Sequence, residues 1–154
     1  MQKKISADCR EHFLDRCKKY RLKITPQRCA IYDELVGSKN HPTAEQMYEM
    51  VKKEFPNVSY DTVNRTLLTF AKIGLVEIVQ SKGAPRRFDA ILENHHHFSC
   101  VRCGKIIDLD LEEYDRLKIP DHIRNEFTVF VKRVVLTGLC RDCRGHEKES
   151  GISK

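Results

Sequence analysis

Apolar residues recur at helical spacing through the first half of the chain, and then give way to short alternating runs. A first helix is expected over roughly residues 6–20, with Phe13, Leu14 and Cys17 on one side. Thr25 followed by Pro26 is a helix start, an N-cap hydroxyl with proline at the first helical position, and Ile31, Leu35 and Val36 form the stripe behind it. Residues 37–42 read as a loop. Thr43 with Gln46 three positions on forms a capping box, and opens a helix whose stripe is Ala44, Met47, Tyr48, Val51 and Phe55, ended by Pro56 and Asn57. Ser59 caps a third major helix running to about Ile73, with Gly74 as its stop.

That last helix has two characters. Val63, Leu67 and Phe70 fall within about 60° of arc at 100° per residue, while Asp61, Arg65 and Lys72 face the other way, with Asn64 on the shoulder. A solvated charged face would explain this much. The strand expected over 75–80, the turn over 81–85 and the return strand over 86–90 change the picture. Helices followed by a basic hairpin make a winged helix-turn-helix, whose wing is placed for phosphate or minor-groove contact.

From Ile91 onward the pattern is that of a small α+β unit. Residues 98–101 and 105–109 are expected to pair as strands around a cysteine knuckle, and 111–117 to form a short helix limited by Pro120, with another short helix following. Residues 127–139 alternate and are rich in β-branched side chains, so they read as one strand ending at a second cysteine pair. The division expected is therefore 1–90, 91–145 and a polar tail over 146–154.

Composition sharpens this division. The 154-residue chain has net charge +6, and residues 1–90 carry all of it, with 17 Lys/Arg against 11 Asp/Glu, whereas the remainder holds 11 of each. A basic module suited to a polyanion thus precedes a neutral one that contains every Cys-x-x-Cys. No run of 18 apolar residues is present and the N-terminal stretch has no apolar core, so neither a membrane span nor a secretory signal is expected, and the cytoplasm is the expected compartment.

In a reducing compartment, two Cys-x-x-Cys pairs separated by 36 residues point to metal. Cys100, Cys103, Cys140 and Cys143 form a four-thiolate zinc site on paper, with Gly104 and Gly138 supplying the tight backbone. A redox Cys-x-x-Cys is a poorer fit, since that chemistry uses one pair. Cys9, Cys17 and Cys29 are expected to be small hydrophobes. The run His95-His96-His97 adds a second donor set. On a strand His95 and His97 share one face, and with Asp89 and Asp108 they make a nitrogen/oxygen site suited to Fe(II), Mn(II) or Zn(II). His41 is a further donor, and His96 is expected to be a solvated polar position.

Taken together these segments resemble the ferric-uptake-regulator superfamily of bacterial metal-dependent repressors. The resemblance covers about residues 10–143 and rests on Thr25-Pro-Gln-Arg28, Ser59-Tyr-Asp-Thr-Val-Asn-Arg-Thr-Leu67, Gly74-Leu-Val76 and Arg87-Phe-Asp89. The block His95-His-His-x-x-Cys-x-x-Cys-Gly-Lys105 and the closing Cys140-x-x-Cys143 complete it. It implies an α+β homodimer with an N-terminal winged-helix domain for double-stranded operator DNA and a C-terminal α/β dimerisation domain holding the four-cysteine zinc. Arg28, Tyr60, Asn64 and Arg65 are the DNA contacts expected.

Within that superfamily the chain is most similar to the peroxide-sensing branch. The resemblance implies a regulatory Fe(II) or Mn(II) held by His41, Asp89, His95, His97 and Asp108, with oxidation of His41 or His95 as the signal. Iron-sensing members usually carry glutamate where Asp108 stands, and a histidine of a further site is replaced by Lys132. Asn64 stands where a tyrosine is typical, which shifts operator preference, because asparagine can pair bidentately with adenine. An iron- or zinc-availability sensor released by metal loss is the neighbouring alternative. A metal-dependent hydrolase is disfavoured, since no His-Glu-x-x-His or comparable motif is present and the basic module would have no role.

Overall fold

A computed structural model describes residues 7–38, 40–79, 85–90, 95–129 and 132–145. The chain divides into two compact units, Met1–Leu92 and Glu93–Lys154.

The first unit is built from α1 (Ala7–Lys19), α2 (Pro26–Val36), α3 (Ala44–Val51), α4 (Tyr60–Lys72) and a hairpin of β1 (Glu77–Val79) with β2 (Arg87–Asp89). Its helix starts follow from side-chain capping. The Thr25 hydroxyl accepts from the Arg28 N–H, Ser59 accepts from the Thr62 N–H, and Thr43 and Gln46 close a reciprocal capping box. Gly74 ends α4 at φ +70°, a left-handed turn that glycine adopts without steric cost.

The core of this unit centres on three rings from three helices. Phe13 stacks on Tyr32 at 4.7 Å between centroids, and Phe70 meets both edge-on at 5.9 and 6.0 Å. Met47 and Val51 from α3, Val63 and Leu67 from α4, and Phe88 from β2 complete it. Cys17 lies in this core and Cys29 packs at its margin, and burial pushes both thiols up from their ordinary range, as suits unreactive small hydrophobes. Helix α1 buries Phe13 and Cys17 and leaves Leu14 exposed. The two strands of the hairpin are described; the turn expected over 81–85 falls outside the described residues except for Pro85.

The second unit contains β3 (His96–Cys100), β4 (Ile106–Leu109), α5 (Glu112–Asp115), α6 (Asp121–Glu126), β5 (Val135–Gly138) and α7 (Arg141–Gly145). Its sheet has the order β4-β3-β5, with β4 antiparallel and β5 parallel to β3. The expected strand over 127–139 shrinks to Val135–Gly138. Pairing with β3 sets this limit: the ladder runs from His97 opposite Val135 to Cys100 opposite Gly138, and residues 127–129 and 132–134 lie outside it. Helix α7, which was not expected, starts immediately after Cys140. The tail over 146–154 lies outside the described residues. No helix among the described residues is long and apolar enough to cross a membrane.

Phe70 is in contact with both other rings of the triad, so Phe70→Ala is expected to cost about 3–5 kcal/mol, the usual range for a buried aromatic truncation. A shift of the urea midpoint at constant slope measures it.

Candidate functional site

The cysteine pairs sit at two backbone turns of the second unit. After β3 the chain reverses so that the Cys100 N–H donates to the Lys105 carbonyl and the Gly104 N–H to the Cys100 carbonyl, both at 2.9 Å. Gly104 takes φ +67° there, which a side chain would strain. At the other turn the Cys140 N–H points at the Cys100 sulfur, 3.3 Å away, and the Arg144 N–H donates to the Cys140 carbonyl. The Arg102 guanidinium reaches the Cys143 carbonyl at 2.9 Å and ties the two turns together.

All four sulfurs lie within 4.8 Å of one another, and those of Cys103 and Cys140 are 3.7 Å apart. The edge of a tetrahedron with zinc–sulfur bonds of about 2.3 Å is about 3.8 Å. The four cysteines are not joined in disulfides. Backbone N–H groups of Cys103 and Cys140 pull the Cys100 thiol down to about 6, whereas burial and then sharing with the other three thiols push Cys143 up to about 12. Four thiolates crowded together cannot coexist without a cation. Spacing and electrostatics both fit a dication of zinc's size and softness.

A second donor set follows from the pleat of β3. His97 lies opposite Asp108 in the β3–β4 ladder, and the Asp108 carboxylate is 3.6 Å from His97 Nε2 and 3.7 Å from His95 Nε2. The two rings are edge to face at 4.6 Å. These separations approach the edge of about 3.4 Å expected of a tetrahedron with bonds of about 2.1 Å. Both imidazoles are buried.

In the first unit a further pair of donors is brought together by β2. His41 Nε2 and the Asp89 carboxylate are 3.7 Å apart and both are buried. His41 takes φ +46°, a left-handed conformation uncommon outside glycine. Its backbone is held there by β2: the Arg87 guanidinium donates to the His41 carbonyl at 3.0 Å, the Phe88 N–H donates to the Pro42 carbonyl at 3.0 Å, and Thr43 bridges Arg87. A loop histidine is thereby fixed against a strand carboxylate 48 positions later in the chain.

His96 differs from expectation. It points away from His95 and His97, but it is fully buried rather than solvated. The Val134 N–H donates to its Nδ1 at 3.1 Å, its Nε2 lies 3.4 Å from the Asp115 carboxylate, and its ring meets Tyr114 edge-on at 5.4 Å. A period-2 argument gives the direction of a side chain; only the tertiary structure reveals that α5 covers that side.

The residues expected to contact DNA lie on α2 and α4. Tyr60 is exposed at the start of α4 and meets Tyr48 edge-on, Asn64 is half-buried, and Arg65 is exposed with its guanidinium 2.9 Å from the Asp61 carboxylate. Arg28 lies in the first turn of α2, and its side chain donates to the Lys23 carbonyl. Lys132 donates to the carbonyls of Asp115 and Leu117, the second at 2.7 Å, at the end of α5.

Comparison with known proteins gives these features a common context. The sequence model of the Ferric uptake regulator family matches residues 19–135. The peroxide-responsive repressor PerR of Staphylococcus saprophyticus is 37% identical over 124 residues, which span 80% of this chain and 83% of that protein. Among solved structures, the Campylobacter jejuni peroxide stress regulator is 31% identical with a TM-score of 0.64, over 84% of this chain and 98% of its own. The Helicobacter pylori ferric uptake regulator Fur, described as having three functional metal-binding sites, superposes with a TM-score of 0.72 at 23% identity, over 94% and 97% of the two chains.

Because Cys100 is already a thiolate at neutral pH, zinc uptake by the metal-free chain at pH 7 is expected to release fewer than four protons. Below pH 6 Cys100, the last of the four thiols to take up a proton, is protonated as well, and the release rises toward four. Calorimetry in buffers of differing ionisation enthalpy reads this number.

Proposed function

The chain belongs to the ferric uptake regulator family of metal-sensing repressors, and we propose that it is a peroxide-sensing member that binds operator DNA as a homodimer. The observation that carries this reading is the donor chemistry at β3 and β4: the imidazoles of His97 and of His95, the residue just before β3, gather with the Asp108 carboxylate and no sulfur. Such donors suit Fe(II) and Mn(II) better than a thiolate-seeking ion. We assign Cys100, Cys103, Cys140 and Cys143 to structural zinc, and His95, His97, Asp108, His41 and Asp89 to one regulatory ion. Only five residues separate Asp89 from His95 in the chain.

Held by these residues, a ferrous ion would supply the chemistry that activates peroxide beside the imidazoles, whereas manganese would supply coordination alone. His41 or His95 is the ring that would be oxidised: one peroxide oxygen would enter a ring C–H to give C–OH, the other would leave as water, and the ring would lose two electrons. An oxidised imidazole is a poorer donor, so the arrangement that spaces the two reading helices for two half-sites loses its support. Names of the staphylococcal and Campylobacter relatives support the peroxide signal, and Asp108 in place of glutamate is consistent with it.

Operator contact falls to α4 with its exposed Tyr60 and Arg65, to Asn64, and to Arg28. A homodimer suits β5, an edge strand whose Val135 is 56% exposed, and Phe127 before it, 60% exposed. Open apolar edges of this kind are normally covered. The cytoplasm is the compartment in which free thiols at these positions persist.

Fluorescence anisotropy of a labelled operator duplex tests the reading. The zinc-containing protein, loaded anaerobically with Fe(II) or with Mn(II), is expected to bind in both cases. Stoichiometric peroxide is expected to release only the Fe(II) sample and to add one oxygen atom to a peptide containing His41 or His95. If peroxide spares the Fe(II) complex while chelation releases the DNA, the protein senses metal availability instead.

A further inference from the structure

His96 is the only member of the histidine run whose ring points away from Asp108 and into the protein, where it is fully buried. Three contacts fix it, and each engages a different group of the second unit. The Val134 N–H donates to Nδ1 from the segment that leads into β5. That bond leaves Nδ1 without a proton and puts the ring's hydrogen on Nε2, which lies 3.4 Å from the Asp115 carboxylate of α5, an electrostatic contact without hydrogen-bond geometry. Tyr114, also on α5, covers the ring edge-on.

The same segment holds α5 from the other side. Lys132, two residues before Val134, donates its ammonium to the Asp115 and Leu117 carbonyls, where a helix end carries partial negative charge. Residues 132–134 therefore anchor α5 through Lys132 and β3 through His96. A four-residue helix with no buried side chain and no side-chain cap cannot hold Asp115 in place on its own.

We propose that His96 is a positioning residue for the regulatory metal site: pinned between Val134 and Asp115, it fixes the rotation of β3 and so aims His95 and His97 at Asp108. The lever is short. His96 is bonded through one peptide unit to each of His95 and His97, and neighbouring side chains on a strand must face opposite ways. A wobble of His96 moves both donors together. Groups that orient metal ligands from outside typically change metal affinity by about 10–100-fold when removed. His96 therefore tunes the site without ligating the ion. This inference rests on the assignment of His95, His97 and Asp108 to the regulatory ion.

Titration of the zinc-containing protein with Mn(II), with free Mn(II) read by EPR, tests it. His96→Phe keeps a ring but removes both nitrogens, and is expected to raise the Mn(II) Kd about tenfold with the number of ions bound per chain unchanged. His96→Asn keeps an acceptor where Nδ1 stands and is expected to restore most of the affinity. Asp115→Asn, an exposed change that leaves the Lys132 contacts intact, is expected to weaken binding about threefold by the same mechanism. Zinc content and the circular dichroism of all three variants should match the parent; if His96→Phe does not fold, Asp115→Asn and His96→Asn decide. A parent-like Kd in His96→Phe overturns the proposal, as does the loss of one bound ion per chain in His96→Phe or Asp115→Asn, which would make His96 or Asp115 a ligand. If the parent takes up no Mn(II), or His95→Ala leaves uptake unchanged, the assignment of the regulatory site falls first and this inference falls with it.

Discussion

The antiparallel register between β3 and β4 is the constraint on which the second unit depends. It begins at the turn after Cys100, where Gly104 adopts a left-handed conformation and Cys100 bonds to Lys105. Counting outward from that turn puts His97 opposite Asp108. A slip of one residue would swap the faces of all three histidines and set His96 against Asp108. The thiol cluster at the turn and the nitrogen/oxygen donors farther along are thus two ends of one hairpin. A dication bound by the four sulfurs stabilises the turn, and the turn determines which imidazoles meet which carboxylate.

In the first unit the corresponding constraint is the grip of β2 on the loop before α3. A histidine at φ +46° carries backbone strain of about 1 kcal/mol. The strain is offset by the Arg87 bond to the His41 carbonyl, the Phe88 bond to Pro42 and the capping box that begins at Thr43. Phe88 anchors the strand in the aromatic core, so the position of Asp89 beside it is inherited from hydrophobic packing. The same helices that bury Phe70 and Tyr32 present Tyr60 and Arg65 outward. Core packing, the exposed face of α4 and the donor pair are consequences of one arrangement of helices.

Much of this was legible in the sequence because it is set by local chemistry. Thr25, Thr43 and Ser59 cap helices through atoms three residues away, and the placement of His95 and His97 on one face follows from strand periodicity alone. The Cys-x-x-Cys spacing likewise forecast four sulfurs in contact. What escaped depends on distant partners. The length of β5 is set by where β3 starts, and the burial of His96 by a short helix 16 or more residues downstream. Lys132 was notable in sequence only for the donor it lacks; its bonds to the α5 carbonyls required the fold.

The Asp61–Arg65 pair on α4 bears on selectivity if α4 reads the operator as proposed. The two side chains are largely exposed and 2.9 Å apart, one helical turn from each other, a surface pairing worth roughly a few tenths of a kcal/mol. A lone phosphate would offer Arg65 little more than the carboxylate does. A guanine edge, which accepts two parallel hydrogen bonds from a guanidinium, would offer a geometry that a single carboxylate contact does not match. The acidic neighbour would then act as an internal competitor, discounting contacts that any polyanion can make.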